Sequence, residues 1–377
     1  MTEKIKNIVV TSVMVALLFG LTLFAWFKPV DDFSDSERRE LNKMPEFSTE
    51  TVFNKDSEKT FMKLFEKYTL DQFPLRDTFR ALKSYVALNV FGHRDNNDLY
   101  THDGYIAKIE YPINEESVDN AADKLQSIYD RYLKDAGKNV YLSVIPDKGY
   151  FLASPNGYLS IDYNEFFELV KEKIPFAEYI DITGQLSLED YYKTDTHWRQ
   201  ENITDVADKL ANAMGTNVSD NYTVNTLDHP FYGVHHGQLA LPFPSEEIKY
   251  LTNDVLDGCI IKAPNKAGLG FTEVPLYNMD NAVGKDPYEM FLSGARVSIV
   301  TIENPNATVD RELIVFRDSY GSSLIPLLAE GYSKITAVDL REVSGHQLVT
   351  LGVDFENADD VLFIFSTLIL NNSAELK

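Results

Sequence analysis

The chain has a single cysteine, Cys259. An intrachain disulfide is therefore excluded, and packing and hydrogen bonds must hold the fold. Its neighbours Gly258, Ile260 and Ile261 point to a small buried residue in a strand rather than a reactive thiol. Positive charge is also scarce. Lys and Arg number 35 against 58 Asp and Glu, a net charge of −23. Nucleic acid is a poor partner for such a surface, because phosphate binding needs a basic face. Adsorption to an anionic bilayer is disfavoured for the same reason, although an anchor within the bilayer is not. Histidine is sparse, seven in all. The adjacent His235 and His236, with His229 nearby, have no Cys or carboxylate cluster beside them to complete a metal site. They are read as surface or substrate-contacting residues, and neither a metal nor a cofactor is expected.

What is present is enough for a core. The 377 residues are 44% hydrophobic and 12% aromatic, which places the chain among globular proteins with room for one large or two modest domains. One uncharged run of 20 residues, Ile8–Phe27, is long enough to cross a hydrocarbon layer of ~30 Å as a helix. Lys4 and Lys6 precede it, and Asp31, Asp32 and Asp35 follow. That asymmetry puts the N-terminus inside and the remainder outside. The run ends in Phe-Ala-Trp-Phe-Lys-Pro, a poor cleavage site, so an uncleaved single-pass anchor is expected in preference to a signal peptide.

Three regions are expected: residues 1–30 as cytoplasmic tip and anchor, 31–115 as linker and helical lead-in, and 116–377 as the main domain. In the lead-in, Phe61, Leu64, Phe65 and Tyr68 have helical spacing, and Leu70–Asn89 continues similarly. A short hairpin is expected around His102-Asp-Gly104. From Ser117, expected to cap a helix reaching about Asp135, strands and helices alternate. Strands are read at Asn139–Ile145, Glu178–Ile182, Leu313–Phe316, Ile335–Val338 and Val361–Phe365, and helices at Asn164–Lys173 and Gln200–Met214. This alternation predicts a doubly wound α/β domain with a parallel sheet. Residues 215–306 break the rhythm with Pro, Gly and short β-like runs, and read as an insertion of strands and loops lying over the site.

Two stretches carry candidate chemistry. In Tyr191-Tyr-Lys-Thr-Asp-Thr-His-Trp198, Asp195 and His197 are spaced so that a carboxylate can orient an imidazole. That is two thirds of an acyl-transfer triad. In Val315-Phe-Arg-Asp-Ser-Tyr-Gly-Ser-Ser323, an apolar strand gives way to a turn bearing Ser319 and then a helix-like segment. That order places a hydroxyl at a strand's carboxyl end, with the amides of Tyr320 and Gly321 poised as oxyanion donors. Each stretch has a plainer reading, in which Asp195 and Ser319 cap helices and Trp198 is core. Lys148, after the strand ending at Ile145, lies where loops of a parallel sheet line a site, or is a solvated charge.

Thr194-Asp-Thr-His-Trp198 and Arg317-Asp-Ser319 resemble the signatures of the DHHW family and the related alginate-type O-acetyltransferases, which have an SGNH hydrolase-like fold. The Asp-x-His block precedes the serine by 122 positions, in the family's order. Arg317 stands where Gly is usual. Two departures stand out: Thr196 occupies the place of the family's first His, and the block Ser293-Gly-Ala295 lacks the Asn that would help an oxyanion hole. The resemblance implies an SGNH hydrolase-like, flavodoxin-like doubly wound domain. Ser319, His197 and Asp195 would be catalytic; Tyr320, Gly321, Gly294, Arg341, Trp198 and Lys148 would hold oxyanion or substrate. For Arg341 the alternative is a surface pair with Asp339. The implied activity is extracytoplasmic O-acetyl transfer to, or acetyl ester hydrolysis on, a cell-envelope polysaccharide, with a separate membrane acyltransferase as a partner supplying acetyl groups. The alternatives are an inactive carbohydrate-binding or envelope-assembly protein, and, more remotely, a metallohydrolase using the His pair.

Overall fold

The computed structural model describes residues 2–219, 221–265, 270–294 and 296–377. They divide into two compact units, one of residues 1–97 with 236–242 and the other of 98–235 with 243–377.

The first unit begins with the helix Glu3–Phe27, whose mean hydropathy of 2.5 makes it long and apolar enough to cross a membrane or to serve as a signal sequence. Helices Phe61–Asp71 and Arg76–Tyr85 follow. Their junction is held by Asp71, which accepts from Arg39 and from the Asn42 backbone and side chain. The Arg39 guanidinium holds the Asp71 carboxyl well below the usual carboxylate range.

The second unit is built on an eight-stranded sheet. In spatial order its strands are Phe271–Glu273, Ile260–Pro264, Ile299–Glu303, Lys334–Asp339, Glu312–Arg317, Asp360–Ser366, Asn139–Ile145 and Glu178–Tyr179. The last five run parallel. The first three join edge to edge in antiparallel fashion. The fold is thus mixed α/β with a large, mostly parallel sheet. At one edge the strands Phe271–Glu273, Ile260–Pro264 and Ile299–Glu303, which fall in the stretch read as an insertion of strands and loops over the site, extend the sheet itself. Their runs are too short and too interrupted by Pro and Gly for periodicity to reveal a shared sheet.

The central strands are buried on both faces, as crossover helices require. Leu313 and Val315 face one core with Ala337, Leu362 and Ile364. Ile314 and Phe316 face the other with Val338, Phe363 and Phe365. Helix Thr204–Ala213 covers the first face through Val206, Ala207 and Leu210. Helices Glu115–Ile128 and Tyr163–Lys173 cover the second. The first of these is capped by Asn114, whose side chain accepts from the Ser117 amide. Ser117 is therefore not the cap; its hydroxyl donates to the Leu370 carbonyl. Asp162 caps the second through the amides of Asn164 and Glu165. The hairpin Leu99–His102/Tyr105–Lys108 forms as expected, with Asp103 and Gly104 at positive φ in its turn.

Candidate active site

Residues 191–198 fold back on themselves. Tyr191 and Trp198 form an antiparallel bridge, the Tyr192 amide donates to the His197 carbonyl at 3.1 Å, and the Arg199 amide donates to the Asp190 carbonyl at 2.7 Å. Asp195 and His197 therefore sit at the tip of a closed loop. Within it, Asp195 Oδ1 accepts from the His197 amide at 3.1 Å and meets His197 Nδ1 at 2.6 Å. A carboxylate only accepts, so Nδ1 carries the proton and Nε2 presents a lone pair. That lone pair meets Ser319 Oγ at 2.7 Å. The loop and the strand end 122 positions apart thus bring Ser319, His197 and Asp195 into one hydrogen-bonded chain.

Ser319 is held by the turn after the central strand Glu312–Arg317. Asp318 fixes that turn: its Oδ1 accepts from the Tyr320 amide at 3.0 Å and its Oδ2 from the Ser366 amide at 2.8 Å. The loop and the turn are tied together by Trp198, whose indole N–H is shared between the Tyr320 carbonyl and Ser323 Oγ at 3.1 and 3.0 Å. Gln200 adds a second tie, donating to the Ser323 carbonyl at 2.8 Å. Tyr288 lies flat on the His197 ring, with centroids 3.9 Å apart and planes 7° apart, and its hydroxyl bonds Ser323 Oγ at 2.9 Å. The stack leaves the imidazole little freedom to turn away from Ser319.

Several sequence expectations change here. The Tyr320 amide donates to Asp318 Oδ1, and the Gly321 amide to the Asp318 carbonyl. The Gly294 amide donates to the Phe291 carbonyl in a turn at φ 137°. All three already have acceptors, so the expectation that they await an oxyanion is corrected. The helix after Ser319 is a single turn, Gly321–Leu324, continuing as 3-10 structure, so it presents little helix dipole. The Ser319 amide is different: it donates to no acceptor among the described residues. Ala295, the last residue of the block with Gly294, lies outside the described residues. Trp198 is wholly buried core, which agrees with its plainer reading. Arg341 grips Asp339 through Nε at 2.9 Å and Nη2 at 2.6 Å. Both residues are buried, so this is neither a surface pair nor a guanidinium open to substrate. Arg317, filling the place of the family's Gly, is fully buried against Ser322 and the Asp318 carbonyl.

Lys148 is also corrected. Its ammonium is buried and donates to the carbonyls of Ile106, Tyr192 and Lys193. It fastens the chain just before Asp195 and makes no approach to solvent. Burial pulls it down to about 8, against the opposing pull of Asp195, Glu246 and Asp147.

Sequence reasoning missed Gly233, Val234 and Glu246, which clamp this loop. Glu246 accepts the Lys193 and Thr194 amides at 2.7 Å each, and the Thr194 hydroxyl at 2.6 Å. The Gly233 amide donates to Thr194 Oγ1 at 2.9 Å, and the Val234 amide to Asp195 Oδ2 at 2.7 Å. No spacing rule links a glutamate to amides 52 positions away, so only the fold reveals it. His235 is buried with Nδ1 lacking a partner among the described residues, and burial pushes it down to about 3. Among the described residues no group of three or more His, Cys, Asp or Glu side chains is placed to hold a metal ion.

The His235 shift makes a stability prediction. Between roughly pH 3 and 6.5 the unfolded chain binds a proton there that the folded chain does not, so stability rises with pH across that window. His235→Gln should flatten this part of the profile, by up to a few kcal/mol at about 1.4 kcal/mol per pKa unit. Urea unfolding of both proteins at several pH values measures it; parallel profiles would place the acid sensitivity elsewhere.

The fold is similar to solved structures. A DHHW family protein from Eubacterium siraeum superposes with a TM-score of 0.58 at 18% identity, covering 74% of this chain and 95% of its own. Bacillus cereus PatB1, solved with a sulfonyl adduct, gives 0.57 at 17% identity, covering 72% and 97%. The chain has the DHHW-type fold. The O-acetyltransferase domain of Pseudomonas putida AlgJ gives 0.43 at 13% identity, covering 72% and 90%, too distant a likeness to argue from. No family model and no curated protein matches the sequence.

Proposed function

We propose that this DHHW-type protein is a serine acyltransferase or esterase that moves acetyl groups on or off a cell-envelope polysaccharide. The observation that carries the reading is the unbroken chain Ser319 Oγ, His197 Nε2, His197 Nδ1, Asp195 Oδ1, with links of 2.7 and 2.6 Å. Ser319 Oγ attacks the acetyl carbonyl while His197 Nε2 takes its proton. The tetrahedral oxyanion collapses, the ester C–O bond breaks, and the leaving alkoxide takes that proton. A sugar hydroxyl or water then gives its proton to His197 and attacks the acetyl-serine, releasing acetylated sugar or acetate and restoring Ser319. Asp195 holds the tautomer and steadies the imidazolium. The Ser319 amide supplies an oxyanion donor; a single donor contributes on the order of 10²–10³ in rate.

The helix Glu3–Phe27 would anchor the chain in the membrane with the second unit on the outer side. A donor outside the cell would then come from a separate membrane acyltransferase, since one helix cannot carry acetyl across. The test is turnover of a chromogenic acetyl ester by the full chain, with and without added envelope polysaccharides. Acceleration accompanied by acetylated glycan indicates a transferase; acetate alone indicates an esterase. Glycan binding with no turnover would favour the inactive binding protein instead.

A further inference from the structure

The first unit takes no part in the proposed reaction. Its residues 28–97 expose large apolar side chains at an unusual density. Among the described residues there are 14 in this stretch of 70, against nine in residues 98–377. A monomeric soluble surface scatters such residues singly. Here they run together along one element: Phe79, Leu82 and Val90 follow helical spacing with the half-buried Val86, and Phe79, Leu82, Val86 and Phe91 line one open groove. Leu70, Phe73 and Leu75 continue the face at the helix junction, with Phe73 packed edge-on against Phe79 at 5.5 Å. Leu70 is 61% exposed, Leu82 55% and Phe91 70%.

Charge sets this stretch apart as well. Residues 28–97 carry 12 Lys and Arg against 13 Asp and Glu, whereas residues 98–377 carry 21 against 44. Nearly all the acidic excess lies beyond the lead-in, so an anionic surface would repel the second part and tolerate the first.

The position of the face follows from its ties to the end of the apolar helix. Lys28, the residue after that helix, lines a cavity of about 390 Å³ together with Phe73, Leu75 and Arg76. Gln72 brackets Asp31, accepting its amide at 3.0 Å and donating to its carbonyl at 2.9 Å. Four residues span at most ~14 Å of extended chain. The start of the apolar face therefore lies within about a headgroup layer of the point where the helix would leave the hydrocarbon.

We propose that residues 70–91 rest in the outer interfacial layer of the bilayer, with Leu70, Phe73, Leu75, Phe79, Leu82 and Phe91 directed into lipid. The proposal rests on the anchor reading given above. An apolar face of this kind lies ~5–10 Å into the headgroup and acyl boundary. The unit would then be a collar at the membrane surface rather than a free tether.

The test is nitroxide depth measurement on the purified full chain reconstituted in phosphatidylcholine–phosphatidylglycerol vesicles. Cys259→Ser removes the native thiol, and single labels are placed by Phe73→Cys, Leu82→Cys, Leu17→Cys and Leu159→Cys. Labels at 73 and 82 should show a severalfold higher ratio of oxygen to nickel-chelate relaxation than the label at 159, approaching that at 17. An acyl-like signal at 17 with aqueous signals at 73 and 82 would overturn the collar and leave the anchor standing. The face would then belong to a protein partner or a second copy. An aqueous signal at 17 would overturn the anchor, and the collar with it.

Discussion

Ser319→Ala is expected to abolish acetyl ester turnover while leaving the protein folded. Removing the nucleophile of a Ser-His-Asp unit costs on the order of 10⁴-fold or more in kcat, because the remaining members have no role alone. Among the described residues the side chain of Ser319 makes one hydrogen bond, to His197 Nε2. Losing an interaction of that kind costs about 1 kcal/mol of stability, so the thermal midpoint should move little. Steady-state assay beside a melting curve checks both halves. A variant that unfolds would assign Ser319 to structure, and one that keeps turnover would exclude it as the nucleophile.

Gly233→Ala should produce the next largest loss, through position rather than chemistry. A Cβ at Gly233 would stand 2.2 Å from the Asp195 nitrogen and from the carbonyl carbon and oxygen of Thr194. These are backbone atoms, so no rotamer relieves the clash, and the loop bearing Asp195 and His197 must shift. The Gly233 and Val234 amides that hold Thr194 and Asp195 shift with it. Overpacking of this kind costs ~1–3 kcal/mol of stability. A displacement of about 1 Å at reacting groups costs on the order of 10²-fold in rate. Gly184→Ala is the control, since a Cβ there meets nothing within 4 Å. Equal activity in the two variants would mean that the clamp does not position Asp195.

The contrast between these two sites marks what sequence could reveal. Ser319 and the Asp195–His197 pair were legible because their signals are local: an apolar strand stopping at a serine turn, and two residue types at a fixed spacing. The four inner parallel strands were legible because burial on both faces makes their runs continuously apolar, as at Val361–Phe365. Glu178–Ile182 came out shorter, only Glu178–Tyr179 pairing, since an edge strand has one neighbour to define it.

What was hidden is long-range. Glu246 reads as one more acid in a chain rich in them, and Gly233 as loop punctuation, until the fold seats both against Thr194. Lys148 and Arg341 were read as charges available to a ligand because sequence does not report burial. In the structure each is enclosed by backbone carbonyls or by Asp339, and each shapes the loops without reaching outward. The oxyanion donors failed for a related reason. Whether an amide in a turn is free depends on Asp318, whose two oxygens bind amides of two different strand ends.

The most direct test of the central claim is mass spectrometry of the protein quenched in acid within the first turnovers of an acetyl ester. An acetyl group on the peptide carrying Ser319, missing in Ser319→Ala and accumulating in His197→Ala only at a strongly reduced rate, is the predicted result. Acetate release with no acetyl-serine at any time, or acetylation confined to another residue, would contradict it.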